Sequence, residues 1–189
     1  MAMGKHIEQT DMTRQCIVDA FWQIAGNESQ TKITVRAVAE KAGVNRSTFY
    51  EYFSDIDGLT NQIEKTLTDK LKKVIGELYV KYNLNCSHRD LAKALLPYYD
   101  QLTILLRRDA DRRFLFRIQS EAVELFTQVT KVPDPMLEYE IAYITAAFAG
   151  LLLYWQETGK KIDEDAFTEL FHTLSIRGLA AQCINAELE

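Results

Sequence analysis

The sequence is poor in the residues that build covalent or metal-centred chemistry. Its three cysteines, Cys16, Cys86 and Cys183, are odd in number, far apart and without C-x-x-C spacing. That argues against a disulfide framework, a zinc module or a redox pair, and suits the reduced thiols of the cytoplasm. The three histidines, His6, His88 and His172, stand on separate segments with no H-E-x-x-H pairing, and no G-x-S-x-G elbow or phosphate-cradling glycine loop occurs. The expectation is a protein that is not an enzyme and needs no metal or cofactor. Proline is scarce as well: only Pro97, Pro133 and Pro135 interrupt the chain, and no strand-like alternation appears, so the fold is expected to be all-α. Apolar runs are short. The longest, residues 141–155, falls below the roughly 20 residues of a membrane span and is broken by Thr145 and Gly150, so it reads as a buried helix, with no membrane partner. Residues 1–10 carry Lys5 and Glu8 where a signal peptide would be apolar.

Positive charge is also in deficit, with 22 basic against 27 acidic residues and a net charge of −5. Tight binding to phosphate normally asks for the opposite balance. Residues 1–54 hold six of each sign, so the acidic excess falls entirely in the remainder.

What is present is a helical chain of 189 residues, 47% hydrophobic, enough for a sizeable core. A first helix is expected over 11–25, capped by Asp11, with Ile17, Ala20, Phe21 and Ile24 on one face. Thr34 caps a short second helix to Ala42, apolar at Val35, Val38, Ala39 and Ala42; Gly43 stops it, and Asn45 caps a third helix ending near Tyr52. After Ser54 the helices lengthen: 57–82, 89–96, 98–108, 111–130, 136–158 and 164–184. This places an N-terminal three-helix helix-turn-helix domain at 7–54 and a larger helical domain at 55–189.

Residues 34–53, TVRAVAEKAGVNRSTFYEYF, carry the functional signal. Helices crossing at about 90–120° need a small residue at their approach, which Ala39 supplies, and a turn residue that accepts positive φ, which Gly43 supplies. Phe49 and Phe53 face inward, leaving Arg46, Ser47, Thr48 and Tyr50 outward on a helix able to enter the major groove. Arg46 can contact guanine bidentately, Ser47 and Thr48 can donate or accept, and Tyr50 offers a hydroxyl and a ring. Thr34 and Arg36 are placed to hold the DNA backbone. A tight helical corner in an all-α protein would share the Ala39–Gly43 spacing but not the short polar helix that follows it.

The opening Thr13-Arg14-Gln15-Cys16-Ile17, the stretch Ile33 to Val44 and Ser47-Thr48-Phe49-Tyr50-Glu51-Tyr52-Phe53 together resemble the DNA-binding domain of TetR-type transcriptional regulators. Carried over by position, the resemblance implies DNA contacts at Thr34, Arg36, Arg46, Ser47, Thr48, Tyr50 and Tyr52. It further implies a homodimer joined by the last two long helices, a pocket for a small-molecule effector, and repression of a double-stranded DNA operator. One departure stands out. Ile56, between Asp55 and Asp57, occupies the place where many members have a phosphate-contacting lysine, which raises the alternative of an adaptor or coactivator acting through a partner protein.

Two features of the residues bear on the larger domain. The run 141–155 is apolar on nearly all sides, with a smooth patch at Ala146, Ala147, Ala149 and Gly150 suited to close helix approach in a dimer. Tyr98, Tyr99, Phe114, Gln119 and Trp155 are the candidate pocket residues, although aromatics at helical spacing usually form plain core.

Overall fold

The computed structural model describes residues 2–27, 32–82, 85–109, 112–130 and 135–177, with backbone alone at 2–10, 129 and 130. Among these residues there is no strand. Contacts divide the chain into two compact units, Met1–Leu67 and Thr68–Glu189.

In the first unit, α1 (Ala2–Ala25) buries Ile17, Ala20, Phe21 and Ile24, the predicted face. Asp11 does not cap it. The helix begins nine residues earlier, at Ala2, and Asp11 lies exposed in its interior, because Lys5, Glu8 and Gln9 favour helix and nothing before Asp11 forces a stop. Thr34, in extended conformation, caps α2 (Val35–Ala42): its side-chain oxygen accepts the Ala37 N–H at 3.2 Å. Gly43 ends α2 at φ 69°, a left-handed conformation that costs a residue without a Cβ nothing. The Gly43 N–H donates to Glu40 and the Val44 N–H to Ala39, closing the helix end. Asn45 sits at the N-cap of α3 (Arg46–Tyr52) but its side chain makes no capping bond, so its expected role is positional only.

The fourth helix, α4 (Ile56–Lys81), buries Leu59, Ile63, Leu67 and Leu71 at four-residue spacing. The division between the two units falls inside this helix rather than before it.

The second unit continues with α5 (His88–Leu95), opened by a reciprocal Ser87–Asp90 capping box. A 3₁₀ turn at Leu96–Tyr98, built around Pro97, leads into α6 (Tyr99–Arg108). Both Asp109 carboxylate oxygens accept first-turn amides of α7 (Arg113–Thr130), from Phe114 at 3.1 Å and Leu115 at 3.0 Å. Then come α8 (Leu137–Glu157) and α9 (Glu164–Arg177). The part of the expected last helix beyond Arg177 lies outside the described residues.

An aromatic cluster forms the core here. Trp155 stacks on Phe167 at 4.6 Å, with Tyr99 edge-on to both. Their polar atoms are satisfied by backbone, Tyr99 Oη donating to Ala92 and Trp155 Nε1 to Ile162. The helix α8 is longer than the apolar run suggests. By length and composition it could cross a membrane; it opens with Glu138 and Glu140 and, contrary to the expected buried helix, buries only Ile141, Ala149, Leu152 and Trp155 within its own chain, leaving Tyr139, Tyr143 and Tyr154 exposed.

Candidate nucleic-acid interface and effector cavity

The geometry of the first unit follows from one buried ring. Phe49 is fully buried and packs on Phe53 at 5.7 Å, so α3 can present only its opposite side to solvent. Arg46, Ser47 and Tyr50 are exposed there, with Tyr50 55% accessible. Thr48 is half-buried, and so is Tyr52, whose ring lies under the Arg14 guanidinium at 6.0 Å. Five of the seven predicted contact residues, Thr34, Arg36, Arg46, Ser47 and Tyr50, are therefore open to solvent, while Thr48 and Tyr52 are partly engaged in packing. The Thr34 hydroxyl oxygen accepts its capping bond and keeps its proton and one lone pair for an outside partner.

Charge on this surface is balanced rather than basic. Lys32, Arg36, Lys41 and Arg46 are matched by Glu40, Glu51, Asp55 and Asp57, all exposed. At the start of α4, Asp55 Oδ1 accepts the Gly58 N–H at 2.6 Å. A carboxylate thus holds the first-turn amide that a phosphate would otherwise seek.

The second unit contains a cavity of about 620 Å³, lined mainly by aliphatic and aromatic side chains of α4 to α9. Leu71 and Ile75 of α4 and Leu115, Ile118, Ala122 and Leu125 of α7 supply two of its walls. Polar groups reach it at Lys72, Tyr79, His88, Glu121 and Glu140. The Lys72 ammonium bonds Glu121 and, at 3.3 Å, Glu124, and these carboxylates raise its pKa above the ordinary lysine value. Burial pushes the Tyr79 hydroxyl up to about 12, and burial together with His172 holds His88 below the usual imidazole range.

None of Tyr98, Tyr99, Phe114, Gln119 and Trp155 lines this cavity. Tyr99, Phe114 and Trp155 are buried in the neighbouring core, where a large ring gains most by full desolvation. The Gln119 amide instead ties α7 to α8, donating to Thr145 Oγ1 at 3.1 Å. The true wall residues belong to the amphipathic faces of α4 and α7, which read as core because an apolar face looks the same whether or not the space in front of it is filled.

A shallower groove of about 370 Å³ runs between α8 and α9, lined by Tyr143, Ala146, Ala147, Gly150 and Tyr154 on one side and Leu174 on the other. A Cβ built on Gly150 would meet nothing within 4 Å, so packing inside the chain does not require glycine there.

Comparison with known proteins matches residues 18–63 to the family model for bacterial regulatory proteins of the tetR family. A Haemophilus influenzae protein described as an uncharacterized HTH-type transcriptional regulator is 39% identical over 57 residues; the match covers 30% of this chain and 28% of that protein. The whole architecture is similar to a TetR transcriptional regulator from Streptococcus agalactiae, with TM-score 0.63 and 22% identity over 94% of this chain and 100% of that one. It is also similar to Thermus thermophilus FadR, a TetR-family repressor in complex with lauroyl-CoA, with TM-score 0.56 and 17% identity over 88% and 94% of the two chains. At these identities the two structures speak for the fold. The helix-turn-helix at residues 34–53 and the family match that spans it agree: residues 18–63 form a DNA-binding domain of the kind found in the tetR family of bacterial regulatory proteins.

Proposed function

We propose that the protein is a sequence-specific, DNA-binding transcriptional regulator that acts as a homodimer in the cytoplasm, repressing an operator until a small molecule enters the 620 Å³ cavity. The observation that carries this reading is the placement of Gly43 and Phe49. The left-handed turn at Gly43 and the burial of Phe49 orient α3 so that Arg46, Ser47 and Tyr50 stand together on its free face. A helix with such a face has the docking geometry of a major-groove reader. A two-fold dimer places two such helices for half-sites one DNA turn apart. The exposed tyrosines Tyr139, Tyr143 and Tyr154 and the bare Gly150 on α8 support that dimer, because large apolar surface left open on a single chain marks an interaction face. The cavity is within the size range of small-molecule sites, and a structural relative of the same fold holds lauroyl-CoA.

Titration of labelled duplex from the protein's own promoter region at low and high salt tests the reading. A regulator binds one sequence well above competitor DNA, with affinity falling steeply with salt. Equal affinity for all duplexes would sink it.

One observation favours a second reading. With Asp55 on the first-turn amide of α4 and Ile56 beside it, the chain lacks a basic anchor at that point, as an adaptor recruited by a partner protein would. In that case the isolated protein leaves duplex unshifted, and binding appears only when the partner is added.

A further inference from the structure

We propose that the cavity of the second unit accepts a hydrophobic organic cation, a single positive centre carried on an apolar body; this rests on the reading of the cavity as the effector site. Among the described wall residues Lys72 is the sole lysine or arginine, and Glu121 and Glu140 are the carboxylates. Lys72 brings no free positive charge, because it is bonded to Glu121 and also to Glu124, which stands outside the wall. His88, kept below its ordinary pKa by burial and by His172, is uncharged at neutral pH. The wall therefore has an excess of negative charge.

Two of the wall's hydroxyl donors are engaged as well. Thr145 Oγ1 donates to the Ile141 carbonyl at 2.6 Å and Ser175 Oγ to the Phe171 carbonyl at 2.7 Å. A carboxylate or phosphate head would thus meet two glutamates and no unused cation, and burying it there would be costly. A cation meets the reverse. Glu140 offers a carboxylate, and two edge-to-face ring pairs, Tyr79–Phe126 at 4.8 Å and Phe148–Phe171 at 5.0 Å, line the apolar space. Carboxylate plus aromatic wall is the chemistry that selects an organic cation. The expected preference is thus opposite to that of an acyl-CoA, whose phosphates need positive partners.

The test uses two ions of the same four-phenyl shape and opposite charge, tetraphenylphosphonium and tetraphenylborate, with the neutral dye N-phenyl-1-naphthylamine as reporter. Each ion is titrated into the full-length protein preloaded with the dye. The phosphonium is expected to displace the dye at a concentration at least about tenfold below the borate. Glu140→Gln, at an exposed position, should erase about tenfold of that advantage, each ion being compared within the variant at its own dye affinity, while leaving the thermal midpoint unchanged. Glu121→Gln, which leaves Lys72 with Glu124 alone, should shift preference further toward the borate. Equal or tighter borate binding to the wild type, or an unchanged ion ratio in Glu140→Gln, overturns the cation proposal and leaves the effector site standing. If the dye and both ions fail to bind, the effector reading falls and the cation proposal falls with it.

Discussion

Asp55 and Gly58 are joined by a 2.6 Å hydrogen bond that closes the first turn of α4, the carboxylate accepting the glycine N–H. The bond stabilises the helix start and, if that start faces DNA, sets a negative charge against the phosphates. Asp55→Asn keeps an acceptor for the cap but removes the charge. It should bind operator duplex several-fold more tightly, at a cost of well under about 1 kcal/mol in fold stability. Ile56→Lys adds a cation at the same place and should increase the log–log salt slope by about 1. Fluorescence anisotropy across a salt series measures both. Unchanged affinity in the two variants would mean that this end of α4 stands away from DNA.

Arg46 and Arg36, both exposed, are expected to act differently. Arg46 opens α3, where a side chain can reach a base edge. Arg46→Ala should cost about 1–3 kcal/mol on the best operator and relax preference at one base position. Arg36, at the start of α2, is assigned to the backbone, and Arg36→Ala should weaken binding evenly across sequences. A binding-site selection on each variant separates the two effects. If both variants lose affinity with no change of consensus, Arg46 is a clamp and the base reader lies elsewhere on α3.

The helix-turn-helix was legible because each of its signals is local. Thr34 caps, Gly43 turns and Phe49 buries through bonds and contacts formed within a few residues, and the structure repeats all three. Asp11 misled for the complementary reason: a capping residue marks a helix start only where the preceding chain cannot itself be helical. The walls of the cavity were not legible: the resemblance implied a pocket, but none of the residues proposed for it lines the space. Its walls, such as Leu71 and Ile118, carry the periodicity of ordinary core, and an unfilled space depends on volumes summed over six helices. The charge pattern around it arises between elements far apart in sequence, Lys72 on α4 meeting Glu121 on α7.

His88 is expected to make the second unit sensitive to acid. Its ring lies 6.1 Å from Phe171 and 6.5 Å from His172, and its pKa is lowered, first by burial and then by His172. A histidine depressed in the folded state binds its proton more readily when unfolded, so stability is fully present above the ordinary value near 6.5 and is lost as pH falls through and below it. The thermal midpoint should fall between pH 7.5 and pH 5, and His88→Gln should flatten part of that fall. Carboxylates such as Asp165, whose pKa the Lys93 ammonium lowers, act only further toward acid. An identical pH profile in His88→Gln would assign the loss to other groups.

Gly150 separates the dimer reading from a self-contained monomer. Glycine inside a helix is less favourable than alanine by about 0.5–1 kcal/mol, and a Cβ at Gly150 would touch nothing in its own chain. Judged on the single chain, Gly150→Ala should therefore stabilise. A second chain packed on Ala146, Ala147 and Gly150 changes the sign for anything larger, because helix axes that approach over small residues leave no room for a bulky one. Gly150→Leu should then raise the dimer dissociation constant by at least about tenfold, equivalent to 1.4 kcal/mol, while the helical circular dichroism stays that of wild type. Sedimentation across a concentration series reads the shift. A Leu variant that sediments as wild type would place the partner on another face, and the exposed tyrosines Tyr139, Tyr143 and Tyr154 would need a different cover.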